Sequence, residues 1–251
     1  MKQLIKVLAV VLWMPMAWAS VGNVHLDKVS VDIRDQASLQ RGVKLFTNYC
    51  LGCHSMKYSR YERIANDAGI PNEVYEKNLI FGDDKIGSLM TIAMDSKDSK
   101  TWFGATPPDL TLVARLRGAD WLYSYLRGFY KDESRPWGVN NVVFKDVGMP
   151  HVLVELQGLC AKPPHIGAVT EIDPLSGQVK GKSGCEEFAM KGSMTPEEYD
   201  AAMRDLVNFL VYVGEPARLQ AEAIAPWVLG FLVILFIFAY LLNKEYWKDV
   251  H

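Results

Sequence analysis

Cysteine is scarce in this chain, with four residues in 251. That is too few for a disulfide framework at this length. Neither charge is in excess: 27 Lys and Arg stand against 29 Asp and Glu, a net charge of −2. The basic footprint of a nucleic-acid-binding protein is therefore missing. There is no internal repeat and no low-complexity tract. What is present is a globular composition, 49% apolar and 22% charged, in a length that suits one large domain or two small ones. The mean hydropathy of +0.01 is still high for so charged a chain, so apolar residues must be concentrated somewhere. They sit at the two ends.

At the first end, Lys2 and Lys6 precede an apolar stretch from Val7 to Met16, and Ala17-Trp18-Ala19 supplies small residues for cleavage. This is the layout of a secretory signal peptide over residues 1–19, too short to span a bilayer comfortably. The remaining chain is then exported, where disulfides persist. At the other end, Ile224 to Leu242 carries no charge over 19 residues. As a helix it covers about 28 Å, close to the hydrocarbon thickness of a membrane. Pro226 falls near its expected start, and Trp227, Tyr246 and Trp247 suit the two interfaces. The expected organisation is a signal peptide (1–19), an exported domain (20–221), a transmembrane anchor (222–243) and a cytoplasmic tail (244–251).

Between the ends the pattern is mostly helical. Leu39, Val43 and Phe46 recur at helical spacing and predict a helix running into Cys50. A second helical region starts near Asp109, breaks at Gly118 and resumes through Trp121, Leu122, Tyr125, Leu126 and Phe129. The third opens on Thr195-Pro196-Glu197-Glu198, a capping box with proline in the first turn, and ends at Gly214 and Pro216. Residues 166–182 alternate around Asp173-Pro174-Leu175-Ser176-Gly177 and predict a hairpin or loop excursion.

The sharpest chemical signal is Cys50-Leu51-Gly52-Cys53-His54. Two thiols at this spacing can each form a thioether to one vinyl group of a single haem, with the next histidine as proximal ligand. A thioredoxin-like pair would want a βαβ context, and zinc would need two further ligands nearby; Cys160 and Cys185 are distant from the motif and from each other. A methionine on the far side would give a six-coordinate, high-potential iron. The candidates are Met56, Met90, Met94, Met149, Met190, Met194 and Met203. Met56 is too close to the attachment loop, and Met203 lies on an apolar helix stripe. Residue chemistry alone leaves Met149 only slightly ahead of Met90 and Met94.

The order of motifs resembles the cytochrome c1 family, the haem subunits of bacterial quinol–cytochrome c reductase (cytochrome bc1) complexes. The matching stretches are Arg41-Gly42, the run from Tyr49 to Met56 with Tyr58 and Tyr61, Pro107-Pro108-Asp109-Leu110, then Arg117, Gly118 and Asp120. Gly148-Met149-Pro150 follows, and Gly214-Glu215-Pro216 leads into the anchor. The resemblance implies one covalent haem c on Cys50 and Cys53, with His54 and Met149 as axial ligands. It implies Arg117 near a haem propionate and Trp121 packed on the haem, where family members often carry tyrosine. Pro107 and Pro108 would shape the pocket wall; they also read as a loop before a helix capped by Asp109.

The fold expected is mainly α, a c-type cytochrome domain with loop and hairpin insertions plus one C-terminal transmembrane helix. The function implied is electron transfer from a Rieske iron–sulfur protein to a cytochrome c, beside a cytochrome b, within a dimeric complex. The chain would sit in the bacterial inner membrane with its haem domain on the periplasmic side, and would not be an enzyme on its own. The rivals are a free-standing anchored cytochrome feeding a terminal oxidase or reductase, and a haem enzyme or gas sensor with an open sixth position. In an exported domain, Cys160 and Cys185 read as a disulfide. Residues 66–99 hold Asp67, Glu73, Glu76, Asp83, Asp84, Asp95 and Asp98 against three lysines. A solvated surface explains these acids better than a docking patch.

Overall fold

The computed structural model describes residues 25–167, 171–172, 179–180 and 184–248. The expected signal peptide lies outside them, as does most of the expected 166–182 excursion. Helix α1 (Gln36–Tyr49) opens on Asp35, whose side chain accepts from the Ser38 amide at 3.0 Å. It ends at Cys50, as the apolar spacing predicts. Strand β1 (Met56–Arg60), helices α2 (Tyr61–Asp67) and α3 (Asn72–Leu79), strand β2 (Leu89–Met90) and helix α4 (Ser96–Phe103) follow. Next come α5 (Val113–Arg117), α6 (Ala119–Arg127), β3 (Phe129–Lys131), β4 (Val139–Asn141), α7 (Val154–Gln157) and β5 (Gly158–Cys160). The short strands β6 (Glu171–Ile172) and β7 (Val179–Lys180) pair antiparallel, in keeping with a hairpin. Strand β8 (Phe188–Lys191) precedes α8 (Pro196–Gly214) and α9 (Arg218–Tyr246).

The core forms where α1 crosses α8. Leu39, Val43 and Phe46 meet Met203, Leu206, Phe209 and Leu210, all buried, and the Phe46 and Phe209 rings lie 5.6 Å apart. Gly42 makes the close crossing possible: a Cβ there would lie 2.3 Å from the Asp205 carbonyl oxygen and 2.6 Å from the Phe209 Cβ. Beside it, Arg41 holds Asp205 with Nε and Nη2 at 2.5 and 3.1 Å. The capping box of α8 is formed, Thr195 Oγ1 accepting from the Glu198 amide and Glu198 accepting from the Thr195 amide.

Helix α6 is fixed by a buried ionic centre. Arg127 binds Asp200 bidentately at 2.6 and 3.0 Å and Asp27 at 2.6 Å, and its guanidinium lies 4.5 Å over the Tyr123 ring. Outside the helices, a four-stranded sheet runs β4-β3-β5-β8, with β3 and β5 parallel and the other pairs antiparallel. The sequence pattern does not announce this sheet.

Helix α9 is long and apolar enough to cross a membrane, and none of its 29 residues is buried in the protein. It exceeds the expected anchor at both ends. Its added N-terminal turn is polar and held by an Arg218–Glu222 pair at 2.7 Å. Pro226 is consequently interior rather than near the start, and leaves the Glu222 carbonyl without its helical donor. Only Glu215, Pro216 and Ala217 separate α8 from α9. Arg115 faces Glu215 at 3.7 Å, Arg63 Nη2 donates to the Pro216 carbonyl at 3.4 Å, and Arg34 pairs with Glu222.

Candidate functional site

The end of α1 is wound into a tight turn. The Cys50 and Leu51 amides both bond the Phe46 carbonyl, and the Cys53 and His54 amides both bond the Cys50 carbonyl, at 3.0 and 2.9 Å. Two thiols and an imidazole thus project from a few residues of continuous backbone. Tyr49 Oη donates to Glu155 Oε1 at 2.5 Å and ties this end of α1 to α7. Cys50 is buried, Cys53 is half-buried, and both are free thiols. Burial, aided by nearby Cys53, pushes the Cys50 thiol up to about 12. Among the described residues no cluster of three His, Cys, Asp or Glu is placed to hold a metal ion.

His54 Nδ1 lies 2.7 Å from the Pro108 carbonyl oxygen. A carbonyl only accepts, so Nδ1 carries the hydrogen, and in the neutral ring Nε2 keeps its lone pair for a metal. Burial lowers the His54 pKa, with the Pro108 carbonyl and Asp109 opposing it, so the neutral ring is favoured. The segment carrying Pro107 and Pro108 is lashed to the motif: the Leu110 amide donates to the Ser55 carbonyl at 2.9 Å, and the Lys57 amide to Asp109 Oδ2 at 2.8 Å. Asp109 does not cap a helix, contrary to expectation. Its other oxygen accepts from the Thr111 amide two residues on, and α5 begins only at Val113. A cavity of about 380 Å³ opens here, lined by Cys53, Pro107, Pro108, Ile92 and Met94.

A second group forms around Met149. Its side chain is half-buried against the cluster of Phe129, Val139 and Val147, and Tyr125 Oη donates to its Sδ at 3.3 Å. Burial raises the Tyr125 pKa well above the ordinary phenol value, so the hydroxyl remains a donor at neutral pH. Trp121 stacks on Tyr125 with ring centroids 5.0 Å apart and planes 8° from parallel. The Arg117 guanidinium lies 4.9 Å over Trp121 and 5.9 Å from the Phe144 ring. No carboxylate among the described residues pairs with this exposed arginine.

Arg117, Trp121 and Met149 are thus brought together through Tyr125, while Cys50, Cys53, His54, Pro107 and Pro108 gather at the end of α1. Tyr125 packs against both the main core that includes Cys50 and the smaller cluster around Met149. Sequence reasoning did not assign Tyr125 to the site; its signal was the aromatic pair with Trp121 at i, i+4, one turn beyond Arg117. Of the other methionines, Met56, Met90 and Met203 are fully buried in the core. The two groups between them hold donors of the kinds a covalent haem calls for: two free thiols and an imidazole with one nitrogen committed to a backbone carbonyl in one, and in the other a held thioether and a guanidinium without a carboxylate among the described residues.

Elsewhere, Cys160 on β5 and Cys185 ahead of β8 lie within disulfide-bonding distance, with Cα atoms 5.5 Å apart. Several acids of the 66–99 segment serve the fold. Asp67 binds Arg63 and the Tyr212 hydroxyl, Glu76 accepts from the Ile86 amide, and Asp95 caps α4.

The family model described as the Cytochrome C1 family matches residues 28–158. Cytochrome c1 of Allochromatium vinosum is 53% identical, over 93% of this chain and 93% of its own. The ammonia monooxygenase gamma subunit of Nitrosomonas europaea is 43% identical over 97% of each chain. Cytochrome c1 of Rhodospirillum rubrum is 27% identical over 86% of this chain and 83% of its own.

Proposed function

Because the chain belongs to the cytochrome c1 family, we propose that it is the haem subunit of a quinol–cytochrome c reductase, taking single electrons from a Rieske iron–sulfur protein and passing them to a cytochrome c. The cofactor is one covalent haem c, and the chain is an electron-transfer subunit rather than an enzyme in its own right. When bound, the haem supplies a one-electron Fe(III)/Fe(II) couple.

The chain's residues bind and orient that group. Cys50 and Cys53 would hold it by thioethers. His54 presents Nε2 because Pro108 holds Nδ1–H. Met149 offers a soft thioether, which favours the reduced state and raises the potential. Arg117 can pair bidentately with a propionate, steadied over the Trp121 face. Pro107 and Pro108 would form part of the pocket wall, and Trp121 would pack on the haem. No side chain has to move a proton. Helix α9 anchors the domain in the inner membrane on the periplasmic side, next to cytochrome b and within a dimeric complex, where Gly230 permits close approach.

The observation that carries this reading is the 2.7 Å contact from His54 to the Pro108 carbonyl, on the same turn as two free thiols. Gentle detergent extraction followed by proteolysis tests it. The haem should stay on the peptide containing Cys50 and Cys53, and cytochrome b and Rieske subunits should co-purify. Haem removed by acid and acetone, or a chain purified without partners, would reject it.

A further inference from the structure

The Tyr125 phenol reaches the Met149 sulfur at 3.3 Å, and its ring is not free to offer that hydroxyl elsewhere. Trp121 covers one face at 5.0 Å, and Phe129 meets the ring at 5.3 Å and 67°. The Tyr125 carbonyl accepts from Asn141 Nδ2 at 2.8 Å, which fixes α6 to β4 ahead of the loop that carries Met149. A thioether sulfur has two lone pairs; if one accepts the phenol hydrogen, the other remains to coordinate.

We infer that Tyr125 is a positioning residue for the Met149 thioether: its hydroxyl orients the sulfur and draws electron density from it, which would bias a haem iron held there toward Fe(II). The inference rests on the reading of Met149 as a ligand of that iron. A sulfur that shares density with a proton donor gives less to the metal, and Fe(III) depends on that donation more than Fe(II) does. The hydrogen bond therefore raises the potential beyond what methionine alone supplies.

Tyr125→Phe keeps the ring, its stacking and nearly its volume, and removes only the donor. In the detergent-purified complex this variant should retain covalent haem and a methionine-ligated spectrum. Its preference for Fe(II) should fall roughly threefold to tenfold, or about 30–60 mV at about 59 mV per tenfold for one electron. The same substitution placed in a Met149→His chain, which lacks the thioether, should leave the potential of that chain unchanged. No fall in the native background overturns the inference, and so does an equal fall in both backgrounds, which would assign the effect to packing. Met149→His alone separates the two levels. If it leaves spectrum and potential unaltered, the ligand reading itself fails and the inference goes with it; if it alters both while Tyr125→Phe does not, only the role of Tyr125 is lost.

Discussion

Replacing Arg127 by methionine keeps much of the side-chain volume and removes the guanidinium at the buried centre that binds α6 to α8. The Arg127 side chain is 5% exposed, and its partners Asp27 and Asp200 are 11% and 33% exposed. Both carboxylates then lose the guanidinium in a largely water-excluded site, and Arg204 remains as a charge near Asp200. Breaking such a pair from one side costs about 3–5 kcal/mol. For a domain of this size that is a fall in melting temperature of about 6–20 °C. The loss should also depend on pH. Burial holds Asp200 above the ordinary carboxylate range, and Arg127 opposes that rise; without the arginine the shift grows. A carboxyl whose folded pKa exceeds its unfolded value favours the fold when protonated, so its contribution is present at low pH and lost as pH rises through the folded value. Urea unfolding followed by far-UV circular dichroism should therefore show the largest loss near pH 7 and a smaller one toward pH 5. Adding Asp200→Asn should recover part of it. A loss under about 1 kcal/mol, the range of an exposed pair, or one that ignores pH, would refute the reasoning.

Met149→Leu should keep covalent haem, lower the midpoint potential and let the reduced iron bind carbon monoxide; Met94→Leu, read by the same spectra, should do none of these. Gly42→Ala should destabilise by about 1–3 kcal/mol through the clash with Asp205 and Phe209, outweighing a helix-propensity gain of about 1 kcal/mol. Gly87→Ala, with open space around its backbone, should stay within about 0.5 kcal/mol in the same denaturation assay. Non-reducing peptide mapping should recover Cys160 and Cys185 as one cross-linked pair, whose loop contributes about 3–4 kcal/mol in the chain-entropy view; alkylation of both without reductant would reject the bridge.

The elements legible in the sequence are those specified locally. Helix α1 follows from the spacing of Leu39, Val43 and Phe46, α8 from its Thr195 cap, and the anchor from an uncharged run. The four-stranded sheet escaped because strands of three or four residues are too short to show alternation, and its central pair joins Tyr130 to Cys160 across 30 positions of sequence. Asp109 misled for a related reason: the same carboxylate suits a helix cap or a turn, and the long-range bond to the Lys57 amide helps hold it in the turn. At the site, the turn carrying Cys50, Cys53 and His54 was readable because its residues are contiguous. The contact of Tyr125 with Met149 was not, since it exists only once α6 and the Met149 loop meet.

The three residues between α8 and the anchor bound how far the electron carrier can travel. Fully extended, they span at most about 11 Å. Arg34, Arg63 and Arg115 further lash this connector and the first turns of the anchor to the domain. A relay station so tethered cannot swing between a donor and an acceptor tens of ångströms apart. Its reach is set by the length of that connector, and a longer path would have to be covered by another molecule.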